Sequence, residues 1–395
     1  MTLSSFFFFC EEIQPERLEW LKECLTVPDR PSPGEPGENN ELNCTLYLTG
    51  DALFSLIAPS SRQVWDTIAG SAGIEIIADG DELELHGITE IVTSAFPGVR
   101  IAGGKATGES FWHMVVSRLV VDRDGMRTAG FLLCHGPYMS RIPVFALRFL
   151  QSALSRGISP EIYAYLDGVH TVHTGQRPSE FLNIGTEISE LADRTVTSGK
   201  DPWFSACSRC SAARGYYLQN PSTGICESSS CIRAITIRNL KEILGRFPSP
   251  HPILSHMCGG IAGMNPGESP ALVVFITKTP YYAEWTFGGV SLAVAAAMGG
   301  IRTTVVFIEQ GIFSVVGTHE VSQGDRIFNM QEMIIATGDV PGLDYVVYTP
   351  SLDERDVKIK EMFDMVRPVD KNNLAGIIWD QSGPDRMRST RVFVF

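Results

Sequence analysis

Basic residues are the scarce class in this 395-residue chain: 32 Lys and Arg stand against 45 Asp and Glu, a formal net charge of −13. An acidic surface repels phosphate backbones and anionic lipid alike, which excludes nucleic acid and membrane surfaces as expected partners. Charged residues amount to only 19%, against 44% hydrophobic, so the composition is that of a folded chain and not of a disordered one. No apolar run is long enough for a bilayer. The longest, GGVSLAVAAAMGGI (Gly288–Ile301), is Gly-rich and short of the ~20 residues a span needs. The opening MTLSSFFFFCEE lacks a basic n-region and places Glu11 and Glu12 where a small-residue cleavage site would stand, so it reads as no export signal. Nucleotide-binding signatures are missing too. In GVRIAGGKATGES (Gly98–Ser110) Val99 stands where a P-loop needs its first Gly, and Ala106 where it needs a hydroxyl. No GxGxxG follows a predicted strand, and no GxSxG elbow is present.

What is present is cysteine. Nine thiols, an odd number without an export signal, point to a reducing compartment, the cytoplasm, where cysteines serve as nucleophiles or metal ligands and not as a disulfide frame. The length predicts two or three domains at roughly 100–200 residues each. Residues 1–42 read as an N-terminal extension and linker: a short amphipathic helix (Pro15–Leu25) precedes VPDRPSPGEPGENNEL, which is rich in Pro, Gly, Asn and acids. A first domain is expected over 43–125, a second over 126–247, a Pro-rich linker over 248–269 and a third domain over 270–395. The apolar runs TLYLTG (Thr45–Gly50), IEIIAD (Ile74–Asp79), GFLLC (Gly130–Cys134) and EIYAYL (Glu161–Leu166) are predicted strands. They alternate with helical patterns such as Val144–Gly157, which makes the class α/β with mostly parallel sheets.

An internal repeat organises the second and third domains. Cys134–Val172 aligns without gaps to Thr277–Val315 at a constant offset of 143, matching Pro137-Tyr138 to Pro280-Tyr281, Gly157 to Gly300 and Gly168 to Gly311. Each copy reads as strand, Pro-Tyr loop, helix, Gly turn, then strand and Gly loop, a right-handed βαβ unit.

The candidate chemistry lies in DPWFSACSRCSAARGYYL (Asp201–Leu218), where a short strand runs into Cys207 and a helix carries Cys210 and Arg214 in its first turns. At a helix N-terminus beside Arg209 and Arg214, Cys207 is expected to favour its thiolate, the nucleophilic form. Cys210, three residues on, shares its face and is placed to exchange a sulfur or a disulfide with it. Cys134, at a strand end, reads as a buried cysteine. Cys10, Cys24, Cys44 and Cys258 fall in terminal or linker segments and receive no role.

These segments resemble the DsrE/DsrF/DsrH (TusD/TusC/TusB) sulfur-relay proteins. The second domain is similar to the DsrE type: the loop Asp167–Val169, then Gly175-Gln176, then CSRCSAARG with a Cys, small residues and Arg-Gly. Counting back seven residues from Arg214 puts Cys207 on the family's sulfur-carrying cysteine. The third domain resembles DsrF, through FIEQGIFSVV (Phe307–Val316) and VVYTPSLDERD (Val346–Asp356), with Tyr348 at the cysteine position and Asp356 in place of Gly. That copy is therefore expected to carry no sulfur. The first domain resembles DsrH in Gly50-Asp51-Ala52 and Asp81-Glu82-Leu83. The resemblance implies three flavodoxin-like (DsrEFH-like) α/β/α domains and a sulfurtransferase holding a persulfide on Cys207, with Cys210 resolving a blocked intermediate as an internal disulfide. It also implies small sulfur-carrier partners (TusA-like or DsrC/TusE-like) and a homodimer equivalent to a six-domain ring.

A rival reading uses Cys207, Cys210, Cys226 and Cys231, whose C-x2-C-x15-C-x4-C spacing is close to that of a structural zinc site, with an iron–sulfur cluster as a variant. It makes the protein a metal-stabilised assembly factor, whereas the sulfur-carrier reading needs no cofactor. His170 and His173, three apart, admit metal ligation, but the plainer reading is loop histidines with satisfied hydrogen bonds.

Overall fold

The computed structural model describes residues 4–26, 44–105, 109–120, 127–220, 222–223, 226–248, 251–262, 271–322, 324, 327–358, 363–379 and 390–395. The Pro- and Gly-rich stretch 27–42 and the side chain of Cys226 lie outside them. The class is α/β with mostly parallel sheets, as the alternating patterns predict.

In the second unit the strands run Ile253–Leu254, Thr128–Leu133, Ser159–Ala164, Trp203–Cys207, Thr236–Arg238 across one all-parallel sheet. The third unit repeats that order with Thr390–Val394, Ala271–Ile276, Thr303–Phe307, Leu343–Tyr348 and Arg367–Val369. The offset of 143 is structural. It maps the strand Thr128–Leu133 onto Ala271–Ile276 and the helix Ile142–Ser155 onto Trp285–Met298. The repeated glycine has a backbone reason: a Cβ on Gly168 would lie 1.7 Å from the Leu133 carbonyl oxygen, and on Gly311 1.8 Å from that of Ile276. No side chain fits where these turns cross the preceding strand end.

The N-terminal segment corrects the sequence reading. Residues 4–26 are no extension: Ser4–Phe9 pairs in parallel with Cys44–Leu48, which continues into Ile74–Asp79 and Arg100–Ala102. The four phenylalanines are consecutive because the strand is buried on both faces. Phe6 and Phe8 join the core shared with the second unit, while Phe7 and Phe9 join the core on the opposite face. Nor is 248–269 only a linker. Ile253–Leu254 closes the second unit's sheet, and Met257–Ala262 pairs antiparallel with both Ser4–Phe9 and Thr390–Val394. That strand welds the first and third units into one ten-stranded sheet. Cys10, Cys24, Cys44 and Cys258 are accordingly buried core residues, a fate the linker assignment missed.

Each unit presents one helix to its neighbour. After the second strand of each unit a residue adopts a left-handed conformation: Gly50 (φ 55°), Leu166 (φ 50°) and Glu309 (φ 54°). Gly50 packs on Phe145 of Ile142–Ser155, where a Cβ would approach the ring to 2.6 Å. Leu166 fills the space over Gly288 of Trp285–Met298. Glu309 receives Arg17 (2.9 and 2.8 Å) and the Trp20 indole (3.1 Å) from Pro15–Thr26. First unit meets second, second meets third, and third meets first, so one chain closes a head-to-tail ring of the kind cyclic oligomers build from separate subunits.

Candidate functional site

Cys207 is the last residue of Trp203–Cys207, at the C-terminal edge of a parallel sheet, the edge where α/β folds place their chemistry. It caps the six-residue helix Ser208–Ala213 and is nearly fully buried. The Cys210 thiol hydrogen-bonds to the Cys207 sulfur and is the main cause that lowers the Cys207 pKa to about 7, against the opposing effect of burial. Backbone N–H groups of Cys210 and Arg209 and the Arg209 charge add to it. Cys210 is pushed the other way, above the ordinary thiol range, by that same hydrogen bond and by burial. One thiol of the pair is thus a thiolate near neutral pH, and the other keeps its proton. That division of roles is what a dithiol nucleophile requires.

Arg214 fixes the geometry around them. It donates to Asp167 (2.6 and 3.0 Å), to the Cys210 carbonyl (3.3 Å) and to Glu284 (2.8 Å) on the third unit. Arg209 lies over the Phe287 ring, 5.2 Å from its centroid. The Tyr165 hydroxyl donates to the Gly288 carbonyl at 3.0 Å. A cleft of about 580 Å³ opens between the Cys207 strand end and Trp285–Met298, with Cys207, Cys210, Arg209 and Arg214 all in its wall. The four residues singled out from sequence are therefore brought together. Glu284, Phe287, Ser291 and Met298, which complete the cleft, were missed because they stand about 80 residues downstream. Their signal was the repeat: the offset of 143 equates Glu284 with Arg141 and Ser291 with Arg148.

The equivalent positions in the other two units show what the cleft depends on. Asp79 and Glu82 occupy the places of Cys207 and Cys210 in the first unit, and there Arg141 and Arg148 both reach Glu82 at 2.7 Å. In the third unit Tyr348 and Ser351 take these places. The Tyr348 hydroxyl donates to Glu23, Ser351 to Glu16 at 2.9 Å, and Arg355 to Glu16 at 2.6 Å. Side chains of the facing helix fill both joints. In the second unit Ser291 stands where Arg148 would reach across, and the space remains. The Arg-Gly pair has its own reason, since Gly87, Gly215 and Asp356 all adopt positive φ (69°, 74° and 52°) after the short helix. Asp is one of the few non-glycine residues that tolerates that conformation.

Asp79 carries a further consequence. Burial, assisted by the neighbouring Glu82 charge and opposed by the Thr49 hydroxyl donating at 2.7 Å, raises its pKa to about 6. A carboxyl whose folded value lies above its unfolded one destabilises the fold as pH rises from the unfolded value of 3.8 through 6. Asp79→Asn is therefore expected to stabilise the protein at pH 7 by about 1–2 kcal/mol and to change little at pH 4. Thermal melts at the two pH values check this, and equal shifts at both would contradict it.

The remaining candidates are quieter. Cys134 is buried, its thiol pushed above the ordinary range by that burial, and it does not line the cleft. His170 Nδ1 meets the Tyr216 hydroxyl at 2.6 Å, and His173 Nδ1 accepts the Gly175 N–H at 3.0 Å, which is the satisfied-loop reading. Cys231 forms an isolated antiparallel bridge with His173, two residues beyond the strand Cys226–Ser229 that pairs with Tyr217–Gln219. Among the described residues no group of three or more His, Cys, Asp or Glu side chains is placed to hold a metal ion. The four-cysteine set itself includes Cys226, whose side chain lies outside those residues. No helix among the described residues is long and apolar enough to cross a membrane.

No family model matches the sequence, and no curated protein matches it. Three chains of solved structures match. One is the ychN protein from E. coli, 20% identical, covering 33% of this chain and 99% of that chain at a TM-score of 0.25. The fold and site on their own define an α/β protein with a buried dithiol in the wall of a cleft between two of its repeated units.

Proposed function

We propose that this protein is a sulfurtransferase that carries sulfane sulfur as a persulfide on Cys207 and relays it between small sulfur-carrier proteins of the TusA-like or DsrC/TusE-like kind. The observation that carries this reading is the unequal thiol pair, a Cys207 with its pKa lowered to about 7 beside a protonated Cys210, opening on a cleft. In the loading step the Cys207 thiolate attacks the outer sulfur of the donor persulfide. The S–S bond of the donor breaks, its thiolate leaves with the electron pair, and a persulfide remains on Cys207. In the delivery step an acceptor thiolate attacks that outer sulfur, and Cys207 departs as thiolate. Arg209 and the backbone N–H groups that lower the Cys207 pKa also stabilise it as the leaving group. The Cys210 proton supports the anionic sulfur in both steps. Should Cys210 instead lose that proton and attack Cys207, hydrosulfide leaves and an internal disulfide forms, which discharges a stalled carrier.

The test is the intact mass of the purified chain after exposure to a persulfide donor. The expected result is one added sulfur, removed by reductant and mapped to the Cys207 peptide. An unchanged mass, with thiols that resist alkylation until a chelator is added, would replace this reading with a zinc or iron–sulfur assembly protein built on the four cysteines.

A further inference from the structure

The cleft beside Cys207 has a chemical character of its own. Its far wall comes from the third unit and, apart from Glu284 and Ser291, is apolar: Phe287, Val294, Ala295 and Met298 on Trp285–Met298, with Met333 from the next helix. Unbranched, polarisable Met side chains adapt to ligands of varied shape, and Met298 is 73% exposed at the rim. Arg214 is shared between two carboxylates, Asp167 and Glu284. Arg209 is different, because it lies over Phe287 and forms no ion pair with a carboxylate among the described residues. The cleft therefore offers one guanidinium with no carboxylate partner among the described residues, one thiolate and a largely apolar wall, within about 580 Å³. That volume is in the range of small-molecule sites, roughly 300–1,000 Å³.

We infer that this cleft binds a small organic sulfane-sulfur anion, a thiosulfonate or hydropersulfide with an apolar substituent, and that this molecule loads Cys207. The inference rests on the reading of Cys207 as a sulfur carrier and adds the class of donor. The apolar substituent lies against Phe287 and Met298, and the anionic group against Arg209. Neutralising the donor is necessary because two anions must meet: the Cys207 thiolate attacks the terminal sulfur of R–SO2–S⁻. The bond between the sulfonyl and terminal sulfurs breaks, and the sulfinate R–SO2⁻ leaves with the electron pair. Cys207 keeps the sulfur as a persulfide anion, so charge and electrons balance with no further reductant. The other two joints are closed to such a ligand. Arg148 occupies in one the position that Ser291 leaves open here, and Arg17 with Trp20 fills the other.

The experiment compares the rate of sulfur loading on the full-length protein, by intact mass, with methanethiosulfonate, butanethiosulfonate, benzenethiosulfonate and inorganic thiosulfate at equal concentration. The expected result is loading at least about tenfold faster with the butyl and phenyl donors than with the methyl one, and slowest with thiosulfate, which has no apolar part. Ser291→Arg, which rebuilds the arginine of the filled joint, is expected to bring the phenyl-to-methyl ratio close to one. Met298→Ser, at an exposed rim position that tolerates change, is expected to cut the ratio severalfold, and its melting temperature serves as the folding control. Equal rates for all four donors, or a ratio that neither variant moves, would overturn the donor assignment while leaving Cys207 a carrier loaded by protein persulfides. Failure of every donor, protein persulfides included, to load Cys207 would overturn the carrier reading itself.

Discussion

The Cys207→Ser variant is expected to lose sulfur loading completely, with a melting temperature within a degree or two of the parent. Serine replaces a nearly fully buried thiol at a strand end where the backbone already has the extended conformation of a helix cap, and Ser is a favoured capping residue. The chemistry, by contrast, has no substitute, because a hydroxyl does not ionise near neutral pH and forms no persulfide. Cys210→Ala makes the complementary case. It removes the hydrogen bond that is the first cause of the lowered Cys207 pKa, so that value returns toward the ordinary thiol range. Thiolate at pH 7 then falls from about half to a few per cent, while the more basic sulfur is intrinsically a better nucleophile. The two effects partly cancel, and alkylation of Cys207 at pH 7 is expected to slow about five- to tenfold. At pH 9.5 the difference should vanish or reverse. The rate–pH profile of Cys207 alkylation reads this directly, and an unchanged profile in Cys210→Ala would remove Cys210 from the site. Loading that survives in Cys207→Ser would place the carrier elsewhere.

The second large effect is expected at the joint between the third unit and the first. Arg17 and Glu309 form a bidentate pair with side chains 5% and 8% exposed, and the Trp20 indole donates to the same carboxylate. Arg17→Met leaves Glu309 charged and buried with one neutral donor, which costs about 3–5 kcal/mol. The double variant Arg17→Met with Glu309→Leu is expected to recover more than half of that loss. Leucine is acceptable at position 309 although φ is positive, because Leu166 adopts the same conformation at the equivalent place (φ 50° against 54°). Buried ion pairs replaced by apolar residues are often neutral, since the desolvation of both charges is avoided along with their attraction. Denaturant midpoints of the two variants decide the matter. A double variant as unstable as the single one would mean that the pair is needed for packing and not only for charge balance.

How much of this was legible beforehand follows from which interactions are local. The constant offset of 143 between two segments predicted two copies of one unit, and the copies match strand for strand and helix for helix. The site dithiol was legible because strand end, cap and short helix lie within eight residues of one another, from Cys207 to Arg214. The N-terminal strand was misread for an equally physical reason. Four phenylalanines beside a Pro- and Gly-rich stretch look like a detached end, since nothing near them in sequence shows which strands they pair with. Their partners are Met257–Ala262 and Cys44–Leu48, and the pairing to the former is more than 240 residues away in the chain.

The sequence by itself determined the α/β class, the duplicated unit and the cysteine pair, because strand alternation, turn glycines and helix caps act over a few residues. Only the tertiary structure decided that the three units close in a ring, that Arg148 and Arg17 fill two of its joints, and that Ser291 leaves the third open beside Cys207. Each joint is made by residues some 60 to 340 positions apart, and whether such a joint is filled or open depends on the shape and charge of side chains that meet only once every sheet has formed.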